Sequence, residues 1–541
     1  MDPDRPLFVD TGRGLSVKYK DRWIYSSRAP MAAPLEAAAS AAMLPDTIYV
    51  VPSPCLGYGL AELRSRLHPS SAILCIEAEP PLAELAHRAC LGLGSDGTLP
   101  SAVALAPPEE AVRAYLSLEA SLGGRRFRRA VEVRLSGGRS IADSAYNKAL
   151  GAVSNDISTR HRNRLSMVRM GRLWARNVIA NLACMRWEDV QSVPAFSKPI
   201  VVCGAGPSLD ASFALLRRHR AKLFVLSCDT AAGALYQAGI LPDAIVCLEA
   251  QVYNVADYLP LGQAATSHVI DLSAHPSTFR SVRGPITLVG SEWAESNFLS
   301  RLMGAGLPVN PVPPLGSVGV LALHIARATG QPILVAGLDF SYPAGRTHCT
   351  GSPGDLRERR IESRTAKRPA AWNASYRQGA RSHGGAWIDD PALSMYAGLA
   401  ASELQGAEAY DIRSVPCAPL PAVKLAPEAI DDAINKIAER TQGTGTRFGS
   451  GPPGSPETLR RLCREFLGSE LSRIETIAAM LREGADTGIL SAALAQADVL
   501  YAHFPDPERV LTLEHDALRR VAAETAYWRG RIEAALELPG S

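Results

Sequence analysis

Between residues 198 and 340 the chain repeats a pattern that few folds can accommodate. Short, nearly continuous apolar runs at 198–204, 222–229, 244–250, 267–274, 285–290 and 332–340 alternate with stretches of helical period. Those stretches fall at 208–219, 230–239, 254–262 and 316–330. A strand that is apolar on both sides needs cover on both faces, and intervening helices supply it. The pattern predicts a parallel sheet between helical layers. In such sheets ligands lie beyond the C-terminal strand ends, where this sequence keeps its unusual residues. "VVCGAGPSLD" (201–210) closes a strand run at Cys203 and continues with Gly204 and Gly206, which permit a tight turn and close backbone approach. Pro207 suits a first helical position. Ser208 then offers a hydroxyl and an N–H at a helix N-terminus, where aligned dipoles favour an anion. The same residue types also build strand–helix turns that hold nothing.

The flanks read differently. In "TIYVVPSPCLGYGLAELRSRL" (47–67) and "SAILCIEAEPPLAELAHRAC" (71–90) two strand–loop–helix units follow one another, with Glu77 closing the second strand. Only one glycine pair, Gly57 and Gly59, marks the turn, so this is a degenerate Rossmann scaffold with packing glycines. Residues 141–196 are helical and rich in arginine, a linker helix whose Arg160, Arg162, Arg164, Arg169, Arg172 and Arg176 form a solvated face or meet an anion. Leu165, Met167, Val168, Leu173, Trp174, Val178 and Leu182 make its apolar stripe. Asn177 and Asn181, one turn apart, either point together into a neighbouring site or are ordinary polar helix positions. Past residue 425 the strand runs stop. The stripe Leu459, Leu462, Phe466, Leu471, Ile474 and Ile477 opens a helical bundle or cap after a Gly/Ser/Pro linker at 443–456. The expected division is a Rossmann-like N-terminal domain (1–140), a helical linker (141–196), a Rossmann-like central domain (197–425) and a helical C-terminal domain (426–541).

Composition narrows the function classes. A formal net charge of +3 over 541 residues gives no whole-chain attraction to nucleic acid. The ten cysteines contain no CxxC pair, which argues against zinc and a disulfide framework and for a reducing compartment. No apolar run reaches a membrane span and no signal segment opens the chain, so the expected location is the cytoplasm.

Several strand ends carry polar tips. Asp229 and Thr230 follow the second central strand, and Glu249 and Gln251 follow the third; each is an N-cap or part of a shared crevice. Gly316 and Ser317 open another helix in "PPLGSVGVLALHIARATG". "VAGLDFSYPAGRTHCTG" (335–351) then sets Asp339, Tyr342, Arg346 and His348 together. This supplies an acid, a phenol that can stabilise a phosphate leaving group, and an imidazole suited to general base work near neutral pH.

The order of "VVCGAGPSLD", "SCDTA", "CLEAQ", "LGSVG" and "GLDFSYPAGRTH" resembles that of motility-associated factor (Maf) proteins, flagellin glycosyltransferases. Their central domain is shared with archaeal 6-hydroxymethylpterin diphosphokinase-like proteins. "WIYSSRAPMAAPLEAA" and "CLGYGL" resemble the same family's N-terminal region, so the likeness spans roughly 10–425 and is strongest over 198–350. "GAGPSL" and "GLDF" also resemble motifs of bacterial sialyltransferases, which use CMP-sialic acid. The resemblance implies that Gly204, Gly206, Pro207 and Ser208 cradle the donor nucleotide, with Asp229, Thr230, Glu249, Gln251, Gly316 and Ser317 lining the crevice. It places Asp339, Tyr342 and His348 nearest the transferred sugar. The implied reaction moves a nonulosonic acid from a CMP donor to Ser or Thr of flagellin, with no metal required and the C-terminal helices as acceptor platform. Two departures stand out. Glu249 replaces a more usual Asp, and 354–385 has no strand or helix period, reading as a flap or a disordered surface loop. His383 inside that segment is a second candidate base. "IDD" at Asp389 and Asp390 is too isolated for a metal site. Two other functions fit the central fold: an ATP-dependent pterin diphosphokinase holding magnesium on Asp229, Glu249 and Asp339, and a non-enzymatic flagellin scaffold.

Overall fold

The computed structural model describes residues 5–538 apart from 95–97, 123–126, 192–195, 263, 294–295, 384–386, 414–416, 442–447 and 449–453. Most of the 443–456 linker therefore lies outside the described residues. The chain forms two compact units, Met1–Ser166 and Met167–Ser541.

The first unit opens with an antiparallel meander of β1 (Leu7–Asp10), β2 (Leu15–Tyr19) and β3 (Arg22–Trp23). A parallel sheet follows, made of β4 (Thr47–Pro52), β5 (Ala72–Ile76), β6 (Val103–Ala106) and β7 (Arg129–Glu132), in the order β6-β5-β4-β7. The chain starts at β4, winds two strands to one side and then places β7 on the other, which is the winding of a Rossmann half. Successive β4 residues serve opposite cores: Ile48 and Val50 face one, Tyr49 and Val51 the other. Gly57 and Gly59 are packing glycines as expected. Both have positive φ, and a Cβ would stand 2.7 Å from the Ala89 Cβ and 2.6 Å from the Pro34 carbonyl oxygen, respectively.

In the second unit the chain enters through a helical turn of π type at Met167–Gly171 and helix α1 (Arg172–Cys184). The wide turn shifts the phase of the expected apolar stripe. Met167, Val178 and Leu182 are buried, whereas Leu165 is 56% exposed and Val168 also faces solvent, which corrects the continuous stripe read from sequence. The strands then come in order: β8 (Ile200–Cys203), β9 (Phe224–Cys228), β10 (Ala244–Cys247), β11 (Ser267–Asp271), β12 (Ile286–Ser291), β13 (Val309–Val312) and β14 (Ile333–Ala336). A small antiparallel sheet of β15 (Tyr342–Pro343), β16 (Arg381–His383) and β17 (Trp387–Asp389) follows, then β18 (Ala409–Asp411) and β19 (Val423–Lys424). The large sheet has the order β13-β12-β11-β10-β9-β8-β14-β18-β19, and every neighbouring pair is parallel. All six expected central strands are present.

The helices that matter for the site are α2 (Leu209–Arg218), α3 (Asp229–Gln237), α4 (Val318–Ala328), α5 (Pro353–Ile361) and α6 (Pro369–Ser375). The expected helix at 254–262 survives as one α turn, Val255–Tyr258, between two 3₁₀ turns; Pro260 cannot donate to a continuing helix. The described part of the segment, 354–383, is not without regular structure, as the sequence suggested. It forms α5, α6 and β16, and α5 begins on a Ser352 side chain that accepts from the Asp355 N–H, with Pro353 at the first position. That start signal was legible. The apolar period was absent because the outer face is polar.

The C-terminal helices α7 (Pro456–Glu483) and α8 (His515–Leu536) pack on each other and on α1. Phe466, Ile474 and Trp528 share one core with Val178 and Leu182 of α1 and with Ile270 and Leu288 of the sheet. The expected 459–477 stripe is that core: Leu459, Phe466, Ile474 and Ile477 are buried, and Leu462 and Leu471 pack against it. Among the described residues no helix is long and apolar enough to cross a membrane.

Candidate functional site

The winding of the large sheet reverses once at its centre. From β8 the chain adds five strands to one side, then returns to place β14 on the other side of β8. Loops leaving β8 and β14 diverge there, so the C-terminal end of that pair is where a doubly wound sheet presents a crevice. The two loops are 204–208 and 337–340, both singled out from sequence.

They are zipped together. The Gly204 N–H donates to the Ala336 carbonyl at 2.9 Å and the Gly206 N–H to the Gly337 carbonyl at 2.7 Å. A Cβ on Gly206 would meet Asp339 Oδ2 at 2.5 Å. The glycines are thus needed for loop-to-loop approach, whatever else they do. Asp339 is buried and accepts the Ser208 N–H at 2.8 Å and the Ser208 hydroxyl. Burial pushes the Asp339 carboxyl up, while the Ser208 bonds and the Arg413 charge pull it back. The Leu209 N–H turns to the Gly206 carbonyl. Pro207 has no N–H to leave unpaired, so at this helix start the Ser208 and Leu209 donors are taken by the chain itself.

The second Gly-Ser helix start is arranged otherwise. Gly316 is exposed with φ +67°, and Ser317 caps α4 without a side-chain bond to the backbone. The Cβ position of Gly319, in the first turn of α4, lies 2.6 Å from a Leu338 methyl and 3.9 Å from the Cys228 sulfur. The start of this 11-residue helix therefore stands over the ends of β14 and β9. Of the two candidate anion-binding termini, α4 is the one whose hydroxyl makes no hydrogen bond among the described residues. Near it, the Tyr396 ring comes 3.6 Å from the Gly316 Cβ position. Burial, then the charges of Asp390 and Glu249, push the Tyr396 phenol up.

At the ends of β9 and β10, Asp229 Oδ1 accepts the Thr230 N–H at 2.7 Å and its hydroxyl at 3.1 Å. Asp229 Oδ2 accepts the Asn254 amide at 2.6 Å, and that same nitrogen donates to Asp257 Oδ2 at 3.0 Å. The Asn254 oxygen takes the Thr278 hydroxyl at 2.9 Å. A carboxylate beside a second one is harder to ionise. Burial pushes Asp229 up, and burial plus the Asp229 charge pushes Asp257 up to about 8. Glu249 and Gln251 are exposed, and Glu249 accepts the Gln251 N–H at 2.8 Å.

Tyr342 does not reach the crevice with its hydroxyl, which donates to the Ala374 carbonyl at 3.0 Å. His348 Nδ1 lies 2.9 Å from the Thr347 hydroxyl oxygen and against Gly354 at the start of α5. Burial, then the neighbouring Arg357 charge, holds its pKa below the ordinary histidine range, opposed by Asp355, so the ring is neutral at pH 7. Arg346 pairs with Asp210, which also accepts the Thr350 N–H, and the Cys349 N–H donates to the Ala205 carbonyl. These bonds tie the His348 loop to the 204–210 loop. His383 lies in β16.

Four groups escaped the sequence reading. Asn254 and Asp257 sit in a broken helix with no motif to flag them. Arg357, on α5, faces both His348 and Asp257. Arg413 is fully buried, donates bidentately to Asp411 and places a third N–H on the Leu338 carbonyl at 2.7 Å, which fixes the loop carrying Asp339. Asn177 and Asn181 act together, but on backbone. Asn177 holds the Ala250 and Ser273 carbonyls, and Asn181 those of Leu272 and Ala274, so α1 locks the ends of β10 and β11. Asp229, Glu249 and Asp339, the expected magnesium carboxylates of the kinase alternative, are each engaged by protein donors. A separate cleft of about 290 Å³, lined by Lys198, Lys222, Asn435 and Glu439, lies at the opposite, N-terminal strand edge.

Residues 176–345 match the family described as 6-hydroxymethylpterin diphosphokinase MptE-like. The fold is similar to that of the MAf glycosyltransferase from Magnetospirillum magneticum AMB-1, with a TM-score of 0.52 over 98% of this chain and 90% of that one, at 12% identity. The Maf resemblance read from short motifs thus extends to the architecture of the whole chain. An uncharacterized protein of Treponema pallidum (strain Nichols) is 27% identical over 553 aligned residues, covering 97% of this chain and 94% of the relative. A second from the same organism is 30% identical over 93 residues, 17% of this chain and 44% of its own length.

Proposed function

We propose that the chain is a glycosyltransferase that moves a nonulosonic acid, a sialic-acid-like sugar, from its CMP donor to Ser or Thr of flagellin in the cytoplasm. The observation that carries this reading is the crevice at the β8/β14 reversal in a chain whose fold follows a Maf glycosyltransferase over nearly its whole length. The donor phosphate is assigned to the start of α4, where Gly316 and Ser317 leave dipole-aligned N–H groups and a hydroxyl uncommitted. Gly204, Gly206, Pro207 and Ser208 keep their place as the crevice floor, with Asp339 clamping Ser208. Thr230, held by Asp229, lines the side next to it with Glu249 and Gln251.

His348 is assigned as the base. Its Nδ1 is engaged by Thr347, which leaves Nε2 to take the acceptor proton. The acceptor oxygen forms its bond to the anomeric carbon as the bond from that carbon to the CMP phosphate oxygen breaks, and CMP leaves with the electron pair. A phosphate monoester leaving group asks less of a metal than a diphosphate does. Tyr342 becomes a positioning residue for α6 through Ala374.

The test is transfer of label from a CMP-nonulosonate to purified flagellin. ATP-dependent diphosphorylation of a pterin, with no sugar transfer, overturns the reading in favour of the diphosphokinase-like alternative that the match over 176–345 keeps open. Flagellin binding that survives Ser317→Ala and His348→Ala with intact motility overturns it in favour of a scaffold.

A further inference from the structure

The segment that forms α5, α6 and β16 has an unusual surface for a chain of small net charge. Residues 353–383 hold eight Lys or Arg against three Asp or Glu. All three acids are already used. Asp355 pairs with Arg359 and Arg368, Glu362 pairs with Lys367, and Glu358 accepts the Ala371 N–H. Arg360, Arg364, Arg377 and Arg381 form no ion pair among the described residues and are exposed. Between these charges stand the apolar side chains of Ile361, Trp372 and Tyr376, the last 79% exposed. Tyr253, 67% exposed, joins the strip through Arg357, whose guanidinium lies 6.0 Å from its ring centroid.

This strip borders the candidate base. Trp372 covers Gly345 in the loop that leads to His348, with its ring atoms about 3 Å from a Gly345 Cβ position. The start of α5 touches the His348 ring through Gly354. Aromatic side chains and arginines together are the composition of protein-binding surfaces. Unpaired cations beside them call for a partner that brings carboxylates.

We infer that the exposed face of α5 and α6, with Tyr253 and the unpaired arginines, is the docking surface for an acidic segment of the polypeptide acceptor. It presents that segment's hydroxyl to His348, and this rests on the transferase reading above. The acceptor then meets the enzyme first on a part of the chain that the C-terminal helices do not supply.

The experiment uses the full chain and two fluorescent Ser-containing peptides, one rich in Asp and Glu and one with those positions changed to Lys. The expected result is binding of the acidic peptide alone, weakened about tenfold by the Arg360→Glu/Arg364→Glu pair and by added salt. Tyr376→Ala, which changes no charge, weakens it about fivefold to tenfold. CMP binding stays unchanged in both variants, which also reports that they are folded. Equal binding of the two peptides, or acidic-peptide binding that neither variant alters, overturns the inference. So does tighter binding of a single-stranded oligonucleotide or phosphatidylserine vesicles that the arginine variant abolishes. Failure of the wild-type chain to bind CMP, with peptide docking intact, instead sinks the donor assignment.

Discussion

Two parallel sheets in this protein are wound by the same rule and end in opposite ways. In the first unit the reversal lies between β4 and β7, in the second between β8 and β14. At the β4 end, Ser53 and Cys55 take positive φ, and the Ser53 hydroxyl donates to Glu77 at 3.0 Å. Glu77 also takes the Tyr146 hydroxyl at 2.8 Å and the Glu79 N–H at 3.0 Å, while the Tyr25 hydroxyl donates to the Pro54 carbonyl. The acidic residue that a dinucleotide fold keeps for a ribose is here buried and saturated by its own chain. At the β8 end, Asp339 closes only the α2 start; Glu249, Gln251 and Gly316 stay exposed. Topology selects where a site can be. Whether one exists depends on how many polar groups the chain itself leaves unspent there.

That contrast can be broken most directly at His348. His348→Ala should lower kcat about 10²- to 10⁴-fold with donor KM unchanged, read by label transfer from the CMP-sugar. Because its pKa is lowered, the wild-type rate should hold at pH values below the ordinary histidine range and fall only on further acidification. Wild-type turnover in the alanine variant would remove the base from this end of the sheet.

The paired acids give the next largest effect. Asp257 binds a proton in the folded chain up to about pH 8 but only up to about 3.8 when unfolded. The folded state then holds more protons, so this group makes stability fall as pH rises across that window, by at most about 1.4 kcal/mol per pH unit. Asp257→Asn should flatten the slope of urea-unfolding free energy between those pH values. An unchanged slope would mean that the pair is not protonated as described.

The glycines sharpen the comparison itself. Gly206→Ala and Gly59→Ala each force a Cβ into a neighbour, and each should cost about 1–3 kcal/mol in denaturant unfolding. Only Gly206→Ala should also weaken CMP binding in calorimetry; equal effects on CMP would erase the distinction between the two sheets. Smallest is Tyr146→Phe, which removes one donor from Glu77 and should lower stability by about 1 kcal/mol without touching CMP affinity.

Legibility followed burial and length. The six central strands were readable because runs such as "IVVC" and "ILVA" are buried on both faces and need no long-range information. β13, with Asn310 and Pro311 inside it, was not readable, since an edge position tolerates a residue that donates nothing. β18 and β19 are too short to carry a pattern. At the candidate site, strand-end polar residues were picked out by position, and Asp339 and Ser208 by motif. Their bond to each other was invisible because it joins residues 131 apart in the chain. Asn254, Arg357 and Arg413 gave no local signal; their roles arise only where distant segments converge.

Taken alone, the amino-acid order determined the alternating layers and which glycines, acids and histidine stand at or just beyond the C-terminal strand ends. Those are consequences of local periodicity and of backbone geometry at single residues. The tertiary structure decided that Ser208 is taken by Asp339, whereas Ser317 makes no cap hydrogen bond among the described residues. It also decided that Glu77 in the Rossmann half is buried against its own chain, while Glu249 and Gln251 at the central strand ends are exposed. A polar group's availability is set by what reaches it across the fold, and no window of sequence contains that partner.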